Sequence, residues 1–179
     1  MKDNKKYQEG LMKGFKLLDK ENAIFLGQNI LHAGCPMFNA MKEVDRNKMI
    51  EMPIIEDTQM GMATGLALEG FVPISIFPRM DFLICATNQL VNHLDKVEQM
   101  SQGEFKTGVI IITQLGNTKP LNPGPQHCGD YTEGLKSMLK NIHVKTVNNP
   151  QIDFKCALRY AKKGKSTLLI CKATGPWVA

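Results

Sequence analysis

The sequence predicts a single α/β domain: a mainly parallel sheet with helices on both faces. Three observations predict it. Apolar runs and amphipathic stretches alternate along the whole chain. Several of the runs, above all "TGVIIITQLG" at 107–116, are continuous instead of alternating apolar with polar, as expected of strands buried on both faces. The chain has 179 residues, 43% of them hydrophobic and 22% charged, enough for one full core and too apolar for a disordered chain.

The elements follow in order. Residues 7–20 place Leu11, Phe15 and Leu18 at helical spacing, so a helix is predicted there, preceded by a flexible tail at 1–6. "AIFLG" (23–27) is a short buried strand ended by glycine. Residues 28–47 hold Gly34 and Pro36 and read as a loop leading into a short helix. "KMIEMPII" (48–55) reads as a second strand, 58–69 as a helix closed by Gly70, and 71–78 as a third strand. One long helix is predicted over 82–100, with Leu83, Leu90, Leu94 and Val97 on one side. After the 107–116 strand, "NTKPLNPGPQHCGD" has three prolines and two glycines and reads as a loop. A helix (131–140), a strand (143–147), a helix (150–163) and a last strand (166–173) complete the domain, which spans 1–179 without an internal repeat.

Composition narrows the functional classes. The net charge of +5 is mild, and much of the excess sits in "MKDNKK" and "YAKKGKS", a solvated end and a solvated loop. Neither a nucleic-acid nor a membrane partner is expected. The five cysteines are scattered, odd in number and without a C-x-x-C pair, so free thiols in a cytoplasmic protein are expected. The chain has no G-x-G-x-x-G after its first strand, no P-loop and no G-x-S-x-G elbow. Its histidines show no metal-ligand spacing with the cysteines, and no metal site is predicted.

Parallel sheets bind ligands at the carboxyl ends of their strands. Three loops are expected there: the one opening with Gly27-Gln28, the one carrying Glu56-Asp57, and the Pro/Gly loop with His127. An acidic pair beside an apolar run needs a cap, an ion pair or a chemical task. Asp57 is assigned to the positive end of the helix that follows, and Glu56 to chemistry. On the residues alone, the competing readings are an exposed acid for Glu56, a core ring for Phe82 and an exposed loop histidine for His127, while Gly61 with Gly65 could equally be a tight-packing face.

The segment "PIIEDTQMGMATGLALEGFVPISIFPRMDFLICATNQLVNHLDK" resembles the pyrimidine-binding domain of thiamine-diphosphate enzymes. It looks most like the β subunit of 2-oxo-acid dehydrogenase E1 components, and next like the corresponding domain of transketolase. The shared pattern is a strand ending Pro53-Ile54-Ile55-Glu56, then Gly61, Ala63, Gly65, Ala67 and Gly70 along a helix. Pro73 and Phe77 follow in a strand, then Phe82 in a turn, then Asn88-Gln89. "GPQHCGDYTEGLKSMLKNIHVKTVNNP" and "AIFLGQNILHAG" extend the similarity over nearly all of 8–175.

The resemblance implies thiamine diphosphate as cofactor, with Glu56 and His127 catalytic and Glu56, Phe82 and Gln28 cofactor-binding. Glu56 would hydrogen-bond N1′ of the aminopyrimidine, Phe82 would stack on that ring, and His127 would face the substrate. Gln28 stands where the E1 β pattern carries an acid, and Arg79 and Met80 occupy an otherwise more aromatic turn. The G-D-G motif of a diphosphate-binding domain is missing, as is the C-terminal domain of that family. Mg2+ and the diphosphate are therefore expected on a partner subunit, E1-α-like or like the N-terminal half of transketolase. A homo-oligomer or a heterotetramer is expected. The implied reaction is carbon–carbon bond cleavage or formation next to a carbonyl of a 2-oxo acid or a ketose. A non-catalytic assembly or regulatory relative is the competing expectation.

Overall fold

The computed structural model describes residues 2–20, 22–33, 37–119 and 122–172. Residues 34–36, with the predicted loop glycine and proline and Cys35, lie outside them, as does the last residue of the strand read over 166–173. Within them the chain forms α1 (Lys2–Asp19), β1 (Ala23–Gly27), β2 (Met49–Glu51), α2 (Glu56–Leu68), β3 (Val72–Phe77), α3 (Met80–Leu83), α4 (Val97–Met100), β4 (Ile110–Gln114), α5 (Thr132–Met138), β5 (His143–Thr146), α6 (Pro150–Ala161) and β6 (Thr167–Cys171). Short 3-10 turns precede β2, and another spans Pro125–His127.

The six strands form one parallel sheet in the order β2-β1-β3-β4-β6-β5. Its two faces bury two separate cores. Phe15, Phe25, Ile110, Ile112 and Phe154 fill one, beneath α1 and α6. Leu26, Met60, Phe77, Ile111, Leu135 and Leu168 fill the other, beneath α2, α3 and α5. Neighbours such as Ile110 and Ile111 therefore go to opposite cores, which is why the strands read as unbroken apolar runs.

Three expectations need correction. The first concerns residues 2–6, read as a tail. They belong to α1, and Tyr7 ties the helix to the sheet by donating to the Val147 carbonyl (3.3 Å) and accepting from the Lys172 N–H (3.0 Å). The second concerns β2, which ends at Glu51. Met52 adds one last bond, N–H to the Gly27 carbonyl at 2.9 Å, and Pro53 then offers no donor. The third is the long helix of 82–100. It is broken into α3, a 3-10 turn at Ile84–Ala86, a π-helical stretch at Asn88–Leu94 and α4. The Asp95 N–H bonds Leu90 across five residues. Leu83, Leu90 and Leu94 are nevertheless buried together, as their spacing implies. Gly70 closes α2 as its position predicts: its φ of +84° is the left-handed geometry that glycine adopts without strain.

Asp95 follows the π-helical stretch and is buried. Its carboxylate accepts from the backbone N–H groups of Lys140, Asn141 and Ile142, the closest at 2.8 Å. It thereby fixes the link between α5 and β5. Asp95→Ala strands these donors, and we expect it to lower unfolding stability by about 2–4 kcal/mol, with Asp95→Asn losing about half as much. Urea unfolding checks this; an unchanged midpoint for Asp95→Ala would contradict the anchoring role.

The four cysteines among the described residues are free thiols. Burial pushes the Cys171 thiol up to about 12, so it stays protonated and unreactive in the folded chain. No helix among the described residues is long and apolar enough to cross a membrane.

Candidate functional site

Gln28 follows β1, Glu56 follows β2, Phe82 follows β3 and His127 lies in the loop after β4. All four predicted residues therefore stand at the carboxyl end of the sheet, delivered by the connections that leave β1, β2, β3 and β4.

Glu56 is not at a strand end, as the sequence reading had it, but is the first residue of α2, four residues after β2. An Ile55 N–H to Pro53 carbonyl bond of 2.8 Å tightens the connection, and Ile55 takes the N-cap position without a side-chain cap. The Glu56 side chain is buried, 9% exposed, and among the described residues nothing hydrogen-bonds its carboxylate. Asp57 lies in the first turn of α2 but does not cap it. Its carboxylate accepts from the Gln89 backbone N–H (3.3 Å) and side-chain amide (3.5 Å), tying α2 to the π-helical stretch.

One turn on from Glu56, Gln59 is fully buried. Its Nε2 donates to Ser75 Oγ and the Ile76 carbonyl, both at 3.1 Å, and its Oε1 has no partner. Gln59 thus sets the head of α2 over the ends of β1 and β3. Sequence reasoning missed it; the signal was a lone amide on the buried side of a helix otherwise lined by small residues.

Phe82 and His127 meet edge to face, ring centroids 5.4 Å apart. Two further contacts hold the His127 loop in place. Gly129 donates its N–H to the Asp81 carboxylate (3.1 Å), next to Phe82, and Tyr131 donates its N–H to Met80 Sδ (3.0 Å). Gly116, just past β4, runs directly against this loop: a Cβ there would lie 1.8 Å from the His127 carbonyl oxygen. His127 Nδ1 is buried without a hydrogen-bond partner, and so is the Nε2 of Gln28, a residue only 5% exposed.

Gln28 sits in a turn fixed from β2. The Glu51 carboxylate accepts the N–H groups of Asn29 and, at 3.0 Å, Leu31. No hydrogen bond or ring contact among the described residues joins Glu56 or Gln28 to the Phe82–His127 pair. The structure thus pairs two of the four residues and sets the other two along the same sheet end. Arg79 and Met80, flagged as departures, are both buried at the head of α3.

The α2 glycines divide. Gly61 backs onto the Gln89 side chain, whereas Gly65 has open space where a Cβ would be, on a face with the exposed Met62 and Leu68. Ile54 and Ile55, beside Glu56, are exposed as well, Ile54 by 79%. Among the described residues no cluster of His, Cys, Asp and Glu is arranged to hold a metal ion.

No protein-family model matches the chain. Curated relatives do. The chain is 29% identical over 149 residues to a pyruvate dehydrogenase E1 component subunit beta of Gracilaria tenuistipitata var. liui, covering 79% of this chain and 45% of that protein. It is 27% identical over 125 residues to the protein of the same name from Cyanidium caldarium, covering 68% of this chain and 36% of that one. The chain therefore spans less than half the length of these relatives. In fold it is similar to a split-gene transketolase solved as an inactive β4 tetramer, with a TM-score of 0.66 and 16% identity, covering 97% of this chain and 51% of that one. Sequence and fold point the same way: over most of its length the chain is similar in sequence to pyruvate dehydrogenase E1 β subunits, and it shares the fold of the split-gene transketolase chain.

Proposed function

We propose that this chain supplies one side of a thiamine-diphosphate site shared with a separate subunit that binds the diphosphate and Mg2+. The observation that carries the reading is Glu56, a residue only 9% exposed at the ligand end of a parallel sheet, whose carboxylate takes no hydrogen bond among the described residues. A buried carboxylate is expected to be paired unless a ligand completes it. The unpartnered Gln28 Nε2 and His127 Nδ1 on the same sheet end add a donor and a titratable nitrogen. These residues fit the aminopyrimidine half of the cofactor: an acid for N1′, an aromatic face in Phe82, and polar groups beyond it. They do not fit the diphosphate half, which needs hard oxygen ligands for its cation.

When bound, thiamine diphosphate supplies a carbon nucleophile for bond cleavage or formation next to a carbonyl. The chain's part is to prepare and serve it. Glu56 would hold a proton at N1′ of the aminopyrimidine and so favour its activation when the cofactor is bound. Phe82 holds the ring plane. His127, steadied by Phe82 and the Asp81–Gly129 bond, moves protons on the substrate side. The exposed Ile54, Ile55, Met62 and Leu68 and the open Gly65 face offer the partner a docking surface. Without a partner the chain associates with itself, in keeping with the inactive tetramer of its structural neighbour.

Substrates are 2-oxo acids or ketoses. A neighbouring reading frame that encodes a G-D-G protein is the partner to try. Mixing the two should give a stable complex with thiamine-diphosphate-dependent turnover of pyruvate, a longer 2-oxo acid or a ketose phosphate. A stable complex without turnover of any of these would favour the competing reading, a non-catalytic assembly subunit.

A further inference from the structure

A cavity of about 620 Å³ lies away from this site, at the carboxyl ends of β5 and β6. That is within the range of small-molecule sites. Its walls come from α1, the residues after β5, the head of α6 and the residue after β6, and its lining mixes apolar surface with charged and amide side chains. Lys6, Lys13 and Lys172 bring three cations and Glu9 one anion, beside the amide side chains of Asn148 and Asn149. None of the three lysines makes an ion pair among the described residues.

The wall is braced. Tyr7 bridges the Val147 carbonyl and the Lys172 N–H, so the end of β6 is held against α1. Gly10 leaves its side of the cavity clear, its missing Cβ backing onto the Pro150 ring at 3.3 Å. Asp153, in the first turn of α6, accepts the N–H groups of Asn148 and Asn149 at 3.0 Å each and so fixes the turn that carries the two amides.

We infer that this cavity binds a small dianion of the phosphomonoester class. Three cations against one anion leave a net charge of two, and a phosphomonoester carries about −1.5 to −2 at pH 7. Lysines act on it as point charges, and the amides hydrogen-bond its oxygens or the hydroxyls of its carbon skeleton. The inference does not rest on the cofactor reading, since no residue is shared with Gln28, Glu56, Phe82 or His127.

The test uses the full chain in amide-resolved NMR, titrated with inorganic phosphate and with glycerol 2-phosphate at constant ionic strength, with acetate as a monoanion control. Expected are saturable shifts at Tyr7, Gly10, Asn148, Asn149 and Lys172. Affinity should fall at least tenfold in the Lys13→Gln/Lys172→Gln variant, whose unfolding midpoint stays near that of the parent. Shifts spread over Arg159, Lys162, Lys163 and Lys165 instead would overturn the inference. So would an affinity that the double variant leaves unchanged, an equal response to acetate, or no saturable response to either phosphate. Should the double variant unfold, Lys13→Gln alone carries the same comparison.

Discussion

Glu56→Gln is expected to lower turnover of the assembled enzyme by at least ~100-fold, the scale of a positioned proton-transfer group. The substitution is nearly isosteric and keeps a hydrogen-bonding group at the head of α2. Gln reaches N1′ but cannot exchange a proton with it, so the loss falls on kcat while the cofactor still binds. Stability should hold, because the Glu56 carboxylate makes no hydrogen bond among the described residues that the variant would break. This combination, activity lost and stability kept, separates a chemical role from a structural one. Steady-state kinetics with a urea unfolding curve on the same preparation measure both. Near-normal turnover in Glu56→Gln would remove Glu56 from the chemistry.

The second large effect is expected at a residue that touches no ligand. In Gly116→Ala the new methyl meets the His127 carbonyl oxygen and the Cys128 Cα, both backbone atoms that cannot swing aside as a side chain would. Either the end of β4 or the His127 loop must move by about an ångström. Misplacing a reacting group by that much costs up to ~100-fold in rate. We therefore expect turnover to fall by about 10–100-fold. The loss should be largely absent when Gly116→Ala is introduced into a His127→Ala background, because the two changes act through one group. Full additivity of the two losses would show that Gly116 acts elsewhere.

These two positions also show what the sequence carried and what it did not. The strand order was not legible, but the fold class was, because Ile110, Ile111 and Ile112 must be apolar in succession to serve two cores. Glu56, Phe82 and His127 were legible only as members of an ordered pattern. Their shared location follows from the sheet rule, since each succeeds a different parallel strand. What failed to show was local chain geometry. Pro53 ends the β2 ladder early and hands Glu56 to α2, a shift of a few residues within an apolar run that offers no periodicity to mark it. Asp57 looked like a cap because acids are common in first helical turns. Its actual partner, Gln89, is 32 residues away and visible only once α2 packs on the π-helical stretch. Gly116 read as a strand boundary, and nothing local announces that another loop's carbonyl lies against it. Asp95 read as one more polar position on a long helix, because its three N–H partners belong to a different connection.

The claim at the centre of this account is that the chain holds one side of a shared cofactor site. Calorimetric titration with thiamine diphosphate and Mg2+ tests it most directly, first on the purified chain and then with the diphosphate-binding partner present. Ring stacking contributes only ~1 kcal/mol beyond area burial, too little to offset immobilising a flexible cofactor. No binding tighter than millimolar is expected for the chain alone. With the partner, micromolar or tighter binding at one site per pair is expected. Micromolar binding at one site per chain, with no second protein present, would contradict a shared site.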